Sequence, residues 1–466
     1  MSLFFGNNIA LKGMMAQQAA LNVALNNVAN ANTEGYSRQR VDLQASNPIS
    51  GIVYGEQLGS GVDVANIGRI RDEFLDYQLR TQTSELKAHT TVHDTLNNVE
   101  IVFNETARDI GLSSDLNKFW NAWQDVSVTP ASPAVRTVLM ESAVTLSDHM
   151  RQIYSQLSGI REDINTQISQ SITAVESIAA RINTLNTQIA NSSMNGETPN
   201  DLLDSRDIML DKLAEIGNIT VTKRGTTGAV DVKLGEHTIV DQAGVHTDEF
   251  DPATVKGGTL GALVKLGGAG TNNPGSVQYY MDKLNIMAAS LANNVNALHV
   301  QGINLDGETG ESNPGAQFFT ANDGEEINAA NLTVNSAIQN NVYKIAASNN
   351  EVNLTGNGEM ALALANLRTT SQISDSEDGS GQKTIDAFYQ ETVTQLGSKV
   401  NEAESNVINQ QTLVTNLSLK KESVSGVSLD EETANTVVYQ HAFNACARVI
   451  SIIDQMLDTV INRMKA

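Results

Sequence analysis

One apolar pattern, more than 50 residues long, most constrains what this chain can fold into. It follows Ser132-Pro133, an N-cap residue and then the proline that favours the first helical position. From Leu139 to Ile189 the apolar residues alternate at intervals of four and three, with one slip in phase near Ile168. This period predicts a helix over 133–191, about 80 Å long at 1.5 Å per residue. A rod of that length favours a structural protein over a compact enzyme.

Composition excludes several classes of protein. Lys and Arg number 30 against 53 Asp and Glu, so the formal net charge is −23. Such a chain repels a phosphate backbone, which argues against a nucleic-acid partner. The one cysteine, Cys446, can form neither an internal disulfide nor a zinc site with several thiolates. The N-terminus lacks a Sec-type signal and no stretch approaches the roughly 18 apolar residues of a membrane span, so we expect no membrane partner.

Shorter patterns predict further helices and a small β region. Residues 37–68 are expected to be extended or loop, with several glycines as breaks. Between 218 and 258 three short runs alternate at period two between glycines, which is typical of hairpin strands. Besides the long rod, the predicted helices cover 69–105, 200–215, 277–300, 383–419 and 430–466.

Both ends of the chain carry apolar stripes at heptad spacing. The N-terminal stripe comprises Phe4, Leu11, Met14, Leu21, Leu25 and Val28. The C-terminal stripe comprises Tyr439, Phe443, Cys446, Ile450, Ile453, Leu457, Val460 and Met464. A second C-terminal stripe lies beside it and comprises Val438, Ala442, Ala445, Val449, Ile452 and Met456. A face this wide needs partners on more than one side, so we expect the terminal helices to pair and to contact other molecules as well.

These elements predict a mainly α protein with a small β domain. If the N- and C-terminal helices pair as an antiparallel coiled coil, everything between them is an insertion, and the architecture is elongated and nested around a long helical bundle. The expected division is a terminal coiled-coil (inner tube) domain at 1–50 and 425–466, a helical rod-like domain at 51–217 and 276–424, and a small β-rich outer domain at 218–275.

The segment 302–379 is rich in Gly and Asn and strongly acidic. Eleven Asp and Glu residues face two basic ones, Lys344 and Arg368, which gives a net charge of −9. This composition predicts a solvated outer face with a loop core inside the helical domain.

Two motifs could carry chemistry, and both are incomplete. His89 and His93 have the i, i+4 spacing of zinc ligands, but no Glu adjoins the first and no third ligand is near. The run 304–308 begins like a calcium loop, yet the sixth position is Thr309 instead of Gly and the twelfth is Gly315 instead of Glu. We therefore predict no catalytic, cofactor-binding or metal-binding residues, and no enzymatic activity.

Residues 26–39 read Asn-Asn-Val-Ala-Asn-Ala-Asn-Thr-Glu-Gly-Tyr-Ser-Arg-Gln. This stretch resembles the N-terminal signature of the flagellar rod, hook and hook-associated axial proteins, and its Gly-Tyr-Ser-Arg-Gln ending is most similar to the hook-associated members. Two further stretches agree with the resemblance, Asp201–Asp207 and the C-terminal run from Ser425 to Asn462. The resemblance extends over 69–217 but says little about 218–379.

The resemblance implies a structural subunit that forms a ring at the junction between flagellar hook and filament. It implies export through the flagellar type III channel and an extracellular location in the flagellum. The implied partners are further copies of the chain, the hook protein, a second junction protein (hook-associated protein 3), transiently the filament cap protein, and an export chaperone on the C-terminal helix. Two alternatives remain open: another axial protein such as a hook or rod component, and a hydrolase embedded in the axial structure.

The terminal stripes and the N-terminal signature form the expected assembly interface. The signature should also end the first helix, because its Asn and Gly residues break the helical pattern. Arg38 is either a surface charge or a subunit contact. The candidate interface residues are Leu11, Met14, Leu21, Leu25, Val28, Asn30, Gly35, Tyr36, Arg38, Tyr439, Phe443, Cys446, Ile450, Ile453, Leu457 and Val460.

Overall fold

The protein is described here by a computed structural model. Helices account for 67% of it, which confirms the mainly α prediction. The described residues are 2–53, 56–103, 111–225, 227–248, 250–267, 273–306, 314–351, 353–373 and 381–459. Val460 and Met464 of the C-terminal stripe, and 307–313 of the calcium-like run, lie outside them.

Eleven helices and nine short strands are assigned within the described residues. The helices are α1 (Ser2–Ala29), α2 (Glu73–Phe103), α3 (Leu112–Val128), α4 (Pro133–Met194), α5 (Asn200–Ile216), α6 (Gly258–Gly267), α7 (Val277–His299), α8 (Ser336–Asn340), α9 (Glu359–Asn366), α10 (Ile385–Ser425) and α11 (Leu429–Asp458). The strands are β1 (Gln39–Ala45), β2 (Ile49–Val53), β3 (Glu56–Leu58), β4 (Val62–Arg69), β5 (Ile219–Lys223), β6 (Val230–Leu234), β7 (His237–Val240), β8 (Phe319–Ala321) and β9 (Leu332–Val334).

The predicted long helix is confirmed, since α4 begins at Pro133 and continues to Met194. The predicted start of the second helix at about residue 69 is wrong, because Arg69 still pairs with Gln39 in the β1–β4 ladder. Asp72 instead caps α2, and its Oδ1 accepts hydrogen bonds from the backbone N–H groups of Phe74 (3.0 Å) and Leu75 (3.2 Å).

The chain divides into two compact units, and the first comprises 1–87, 172–259 and 409–466. It contains α1 packed against α11 and the antiparallel pair β1–β4. It also contains the three-stranded sheet β5-β6-β7, which confirms the predicted hairpin strands. The division into three domains expected from the sequence stays a prediction.

The second unit comprises 88–171 and 260–408 and is built around a cluster of aromatic side chains. Trp123 and Phe318 have ring centroids 5.3 Å apart, and those of Phe318 and Phe319 are 5.0 Å apart. Phe119 and Trp120 of α3 complete the cluster, and all five side chains are buried. Both tryptophans of the chain therefore help to stabilise this core.

Two predictions for the middle of the chain are wrong. Residues 258–267 were expected in the β-rich domain but form α6, because Leu260, Leu263 and Leu266 present an apolar helical face to the interior. The acidic segment 302–379 was expected to have a loop core, yet it contributes α8, α9, β8 and β9. Its buried apolar residues, such as Phe318, Ile338 and Leu364, belong to the same cluster as the aromatic side chains of α3.

Candidate functional site

The two terminal helices pack against each other in antiparallel register. A Cβ built on Gly6 would lie 3.4 Å from Cδ1 of Ile453, and one built on Gly13 would lie 3.1 Å from Sγ of Cys446. Seven residues forward along α1 thus correspond to seven residues back along α11. The two terminal helices therefore run antiparallel to each other, as expected. Their pairing as a coiled coil through the heptad stripes stays a prediction.

The face of α1 that packs is not the predicted stripe. Leu25 is 50% exposed and Leu11 is 43% exposed, while Met14 and Leu21 are half-buried and Val28 is exposed. Among the α1 residues whose burial is described, 4–29, the buried apolar positions are all small and comprise Ala10, Ala16, Ala20 and Ala24. The distance between two packed helices depends on the side chains at their contact, so this alanine face allows a close approach that leucines would prevent.

The C-terminal stripe, by contrast, lies on the side of α11 that faces α1. Ile453 is buried, and Tyr439, Phe443, Cys446, Ile450 and Leu457 are half-buried. The neighbouring stripe is exposed except at Ala442, which is half-buried, and Ile452 is 54% accessible to solvent. The other exposed large residues of α11 are Leu429, Val437, Val438, Val449 and Met456. One apolar face of α11 is therefore covered within the chain and the other is not.

Asn27 fixes the end of α1 through four hydrogen bonds. Its Nδ2 donates to the backbone oxygen of Gln39 (2.9 Å) and to Oε2 of Glu432 (3.2 Å). Its Oδ1 accepts from the backbone N–H of Gln39 (3.0 Å) and from the hydroxyl of Tyr36 (2.8 Å). Because this side chain is buried, each of its polar groups needs a partner, and all are satisfied.

The signature loop that follows α1 lies against α5. Gly35 has a φ of +75°, and a Cβ at this position would lie 2.4 Å from Cγ1 of Ile208, so only glycine fits. Two residues on, the backbone N–H and the hydroxyl of Ser37 donate to the carboxylate of Asp204 at 3.2 and 2.8 Å. Asn30 donates through Nδ2 to the backbone oxygen of Asn26 at the end of α1, so the signature does end the helix.

Arg38 connects the signature to the start of α11. Its guanidinium contacts Oε1 of Glu432 at 2.7 Å and Oε2 of Glu431 at 2.8 Å, and its backbone N–H donates to the carbonyl of Ser425 at 3.0 Å. The Glu432 side chain is nearly inaccessible to solvent, so this pair is partly buried. The charge of Arg38 is therefore balanced within its own chain.

Beneath the signature lies a network of ion pairs, which we call the arginine–aspartate network. Arg69 contacts Asp204 at 2.7 Å and Asp207 at 2.8 Å, and Arg71 contacts Asp207 at 2.9 Å. The full network comprises Arg69, Arg71, Arg80, Lys421, Asp76, Asp204, Asp207 and Asp211. It joins β4, α2, α5 and α10 behind the loop that carries the signature.

The network keeps the buried carboxylate of Asp207 in the charged form. Burial opposes ionisation of Asp207, but the charges of Arg71, Arg69 and Arg80 outweigh it and hold the pKa of Asp207 below its ordinary value. Burial, with the nearby carboxylates of Asp201, Asp204 and Glu432, raises the pKa of Tyr36 to about 12. The Tyr36 hydroxyl therefore stays protonated and remains a donor to Asn27.

The three sequence stretches that resemble the flagellar axial proteins thus meet at one place. The structure also brings in side chains that are not among the candidate residues of the sequence, namely Asn27, Ser37, Arg69, Arg71, Asp204, Asp207 and Glu432. A signal for part of this set does exist: Asp201, Asp204 and Asp207 recur every three residues and so place carboxylates along one side of a helix.

Two further properties bear on chemistry. In the described part of the chain, no three His, Cys, Asp or Glu side chains are grouped as ligands of a metal ion would be. Within the same ranges, no helix has both the length and the apolar character needed to cross a membrane. His93, one of the two histidines with zinc-like spacing, contacts Asp94 at 3.1 Å on the surface of α2.

Comparison with protein families yields three matches. The model described as "Flagellar hook-associated protein FlgK helical domain" matches 96–252 and 242–319. The model for the C-terminal part of flagellar basal body rod FlgEFG proteins matches 422–464, and the one for flagella basal body rod proteins matches 8–36. The range 422–464 includes all of α11, and the range 8–36 includes most of α1, the helix that packs against it.

Whole-length relatives agree with these matches. The chain is 30% identical to flagellar hook-associated protein 1 of Bacillus subtilis over 99% of both chains, and 24% identical to that of Escherichia coli over 98% of this chain and 99% of the relative. The solved structure of the flagellar hook junction protein FlgK from Burkholderia pseudomallei has the same fold. It superimposes with a TM-score of 0.62 at 15% identity, and the match covers 75% of this chain and 100% of that one. This chain therefore belongs to the family of flagellar hook-associated protein 1, structural proteins of the bacterial flagellum.

Proposed function

We propose that this chain is a non-enzymatic subunit of a ring that joins the flagellar hook to the filament, and that the ring assembles through the outer faces of α1 and α11. Family membership supports the place in the flagellum. One observation carries the mode of assembly: two well-packed helices still expose large apolar side chains over most of their length.

The exposed residues lie on both members of the pair. On α1 they are Phe4, Leu11, Met15, Leu25 and Val28. Beside the seam lies an open cleft of about 430 Å³ whose lining is largely apolar and includes Ile9, Ala10 and Val449. Soluble monomers rarely leave contiguous apolar surface of this kind uncovered, and such surface usually marks an interaction site.

Charge supports the same interface. Residues 1–50 contain three basic and two acidic side chains, and 425–466 contain three basic and five acidic ones, in a chain whose net charge is −23. The two ends therefore carry little of the negative charge. Copies of the pair can be placed close together with weak repulsion while the acidic remainder faces water.

The proposed partners follow from this geometry and from the family. Further copies of the chain, the hook protein and hook-associated protein 3 would bind the exposed faces in the completed structure, and the filament cap protein would bind them transiently. Before export through the type III channel, a chaperone would cover the outer face of α11, since that face carries large exposed residues such as Val438 and Ile452. The location is then extracellular, at the junction of hook and filament.

Electron microscopy of cells that lack this protein tests the junction role. We expect hooks without filaments, with filament protein released into the medium. Intact filaments on such cells would contradict the proposal. Immunogold labelling separates the junction role from that of a hook or rod component, because a junction subunit labels a thin band at the hook tip instead of a whole segment. The embedded-hydrolase alternative predicts that the purified protein degrades peptidoglycan, and we expect no such activity.

A further inference from the structure

A second cleft, of about 560 Å³, lies in the first unit between α2, α5 and the strands β5 and β6. Its polar wall includes Asn200 and Arg206 of α5, and its apolar wall includes Leu203, Tyr77 and Val221. We call it the Arg206 cleft. It lies away from the outer faces of α1 and α11, and the proposed assembly makes no use of it.

Arg206 is a buried guanidinium without an ionic partner. Its residue is only 5% exposed, and no carboxylate among the described residues lies within ion-pair distance of it. Its Nη1 donates to the backbone oxygen of Gly228 (2.5 Å) and to Oδ1 of Asn186 (3.3 Å), and its Nε has no hydrogen-bond partner. A buried charge in this condition is costly to the fold, because the two neutral acceptors at Nη1 do not balance it and Nε has lost its water without gaining a partner.

The neighbouring arginine–aspartate network cannot supply the missing charge. Its four basic side chains face four carboxylates, and Asp207, which follows Arg206 in the sequence, is already shared by Arg69, Arg71 and Arg80. Burial accordingly lowers the pKa of Arg206 to about 10, with Asp207 opposing and the other arginines adding to the shift. An anion beside the guanidinium would offset this charge, which a neutral ligand cannot do.

Two acceptor atoms of the cleft also lack a hydrogen-bond partner. One is Oδ1 of Asp76, which lies 3.2 Å from Nζ of Lys421, and the other is the neutral Oδ1 of Asn200. Asn200 is 8% exposed, and its Nδ2 donates to the backbone oxygen of Ile67 (2.8 Å) while its Oδ1 has no partner. Asn200 is also the first residue of α5, whose N-cap residue, Pro199, provides no side-chain hydrogen bond to the helix. A ligand that fits would carry one negative charge to pair with Arg206 and a hydrogen-bond donor for Oδ1 of Asn200. It would also have an apolar part that packs against Leu203 and Val221.

We propose that the Arg206 cleft binds a carboxylate group, presented either by a glutamate or aspartate side chain of a peptide segment or by a free small organic acid. The carboxylate would accept a hydrogen bond from Nε of Arg206 and cancel its charge. A peptide N–H beside the acidic side chain would supply the donor that Asn200 lacks.

Binding to the full-length monomer in solution tests the proposal. The probes are N-acetyl-glutamate N-methylamide, its glutamine counterpart of nearly equal shape, and acetate. The readout is the Nε–H resonance of Arg206 in protein labelled at arginine. We expect the glutamate probe to shift this resonance and to bind at least about tenfold more tightly than the glutamine probe, because hydrogen bonds between charged groups are the stronger ones.

The acetate arm identifies the source of the carboxylate. If acetate binds more weakly than the glutamate probe, the site takes an acidic peptide segment. If the two bind equally tightly, it takes free small acids. An Arg206 resonance that none of the probes shifts overturns the proposal.

A substitution that supplies the anion from within the chain gives a second test. Leu203 precedes Arg206 by one helical turn and lines the same cleft, so the carboxylate of Leu203→Glu can reach the guanidinium. We expect this variant to melt at a higher temperature than its neutral control Leu203→Gln and to lose binding of the glutamate probe. Equal or lower thermal stability of Leu203→Glu contradicts the proposal.

Arg206→Gln should abolish probe binding. Because this substitution also removes the hydrogen bond to Gly228, the fold of the variant is checked by circular dichroism. If the variant does not fold, the comparison of Leu203→Glu with Leu203→Gln decides whether the cleft takes a carboxylate. All these measurements use free monomer without flagellar assembly, so their failure leaves the junction role untouched, and failure of that role leaves this inference untouched.

Discussion

The terminal helix pair and the aromatic core of the second unit both arise from apolar patterns in helices, but they are completed differently. In the core, Trp123 and Phe318 are fully buried by residues of the same chain. In the pair, Ile453 is buried while its neighbour Ile452 remains more than half exposed. The core is closed within the chain, whereas the pair is closed on one side only.

The physical reason lies in the number of apolar faces that each helix carries. α3 has one apolar face, and α4, α7 and the acidic segment cover it. α11 has two adjacent stripes, and a single helix such as α1 can cover only one of them. A chain that has an uncovered second stripe retains free energy of burial for assembly, and this difference can be tested by substitution.

The largest effect on the monomer is expected for Trp123→Ala. The change opens a cavity in the aromatic cluster and should lower the free energy of unfolding by about 3–5 kcal/mol, measured by urea denaturation. The control is Val128→Ala on the same helix, where the side chain is 72% exposed and little should change. Similar losses for the two variants would show that the core does not determine monomer stability.

A smaller effect is expected for Arg38→Ala at the base of the helix pair. It leaves the buried carboxylate of Glu432 without its cation, which should cost about 3 kcal/mol, near the lower limit for a buried pair, because Arg38 itself is partly exposed. Arg40→Ala removes an exposed pair with Asp42 and should cost little. Amide hydrogen exchange in α11 reports the difference, and equal exchange in both variants would mean that Arg38 does not hold the pair.

The next prediction compares the loss of stability caused by alanine at two glycines that both have a positive φ. Gly35→Ala and Gly196→Ala should share the strain of the left-handed conformation, but only at Gly35 does the new methyl group meet Ile208, while Gly196 faces open space. We expect Gly35→Ala to cost about 1–2 kcal/mol more than Gly196→Ala in thermal unfolding. No difference would indicate that the signature loop does not lie tightly against α5.

The smallest effect on the monomer is expected for Ile452→Asp. This variant tests the uncovered stripe of α11 directly, without disturbing the part of the helix pair that is closed within the chain. Because this side chain is exposed, monomer stability should change by less than about 0.5 kcal/mol, while filament growth on hooks should fail. Its neighbour Ile453 is the matched control, since Ile453→Asp puts a charge into the seam and should destabilise the pair. Normal filaments with Ile452→Asp would remove the outer stripe from the interface.

Much of the helical framework could be predicted from particular residues. Ser132-Pro133 marked the start of α4, and the period-two runs gave β5, β6 and β7, because caps and short alternating patterns act locally. The alanine face of α1 could not be found in this way. A heptad pattern shows that a helix has an apolar face, but it does not show whether Leu25 or Ala24 will meet the partner.

The acidic segment illustrates the same limit from the other side. Its net charge of −9 is a property of the sequence, but Phe318 and Phe319 are buried within it because α3 and α7 offer them an apolar surface. Charge counts average over a segment, whereas burial is decided residue by residue when elements from distant parts of the chain meet.

The sequence by itself determined the helical class, the long rod, the heptad ends and the family resemblance, because all of these depend on local propensity and spacing. The tertiary structure decided which stripe is covered, that Asn27 satisfies four hydrogen bonds, and that the aspartates of α5 meet the arginines of β4 and α2. It also decided that Arg206 remains without a counter-ion beside a balanced network. Several of these outcomes depend on contacts between residues far apart in the chain, such as Asn27 with Glu432 and Arg69 with Asp204, which no local pattern of the sequence encodes.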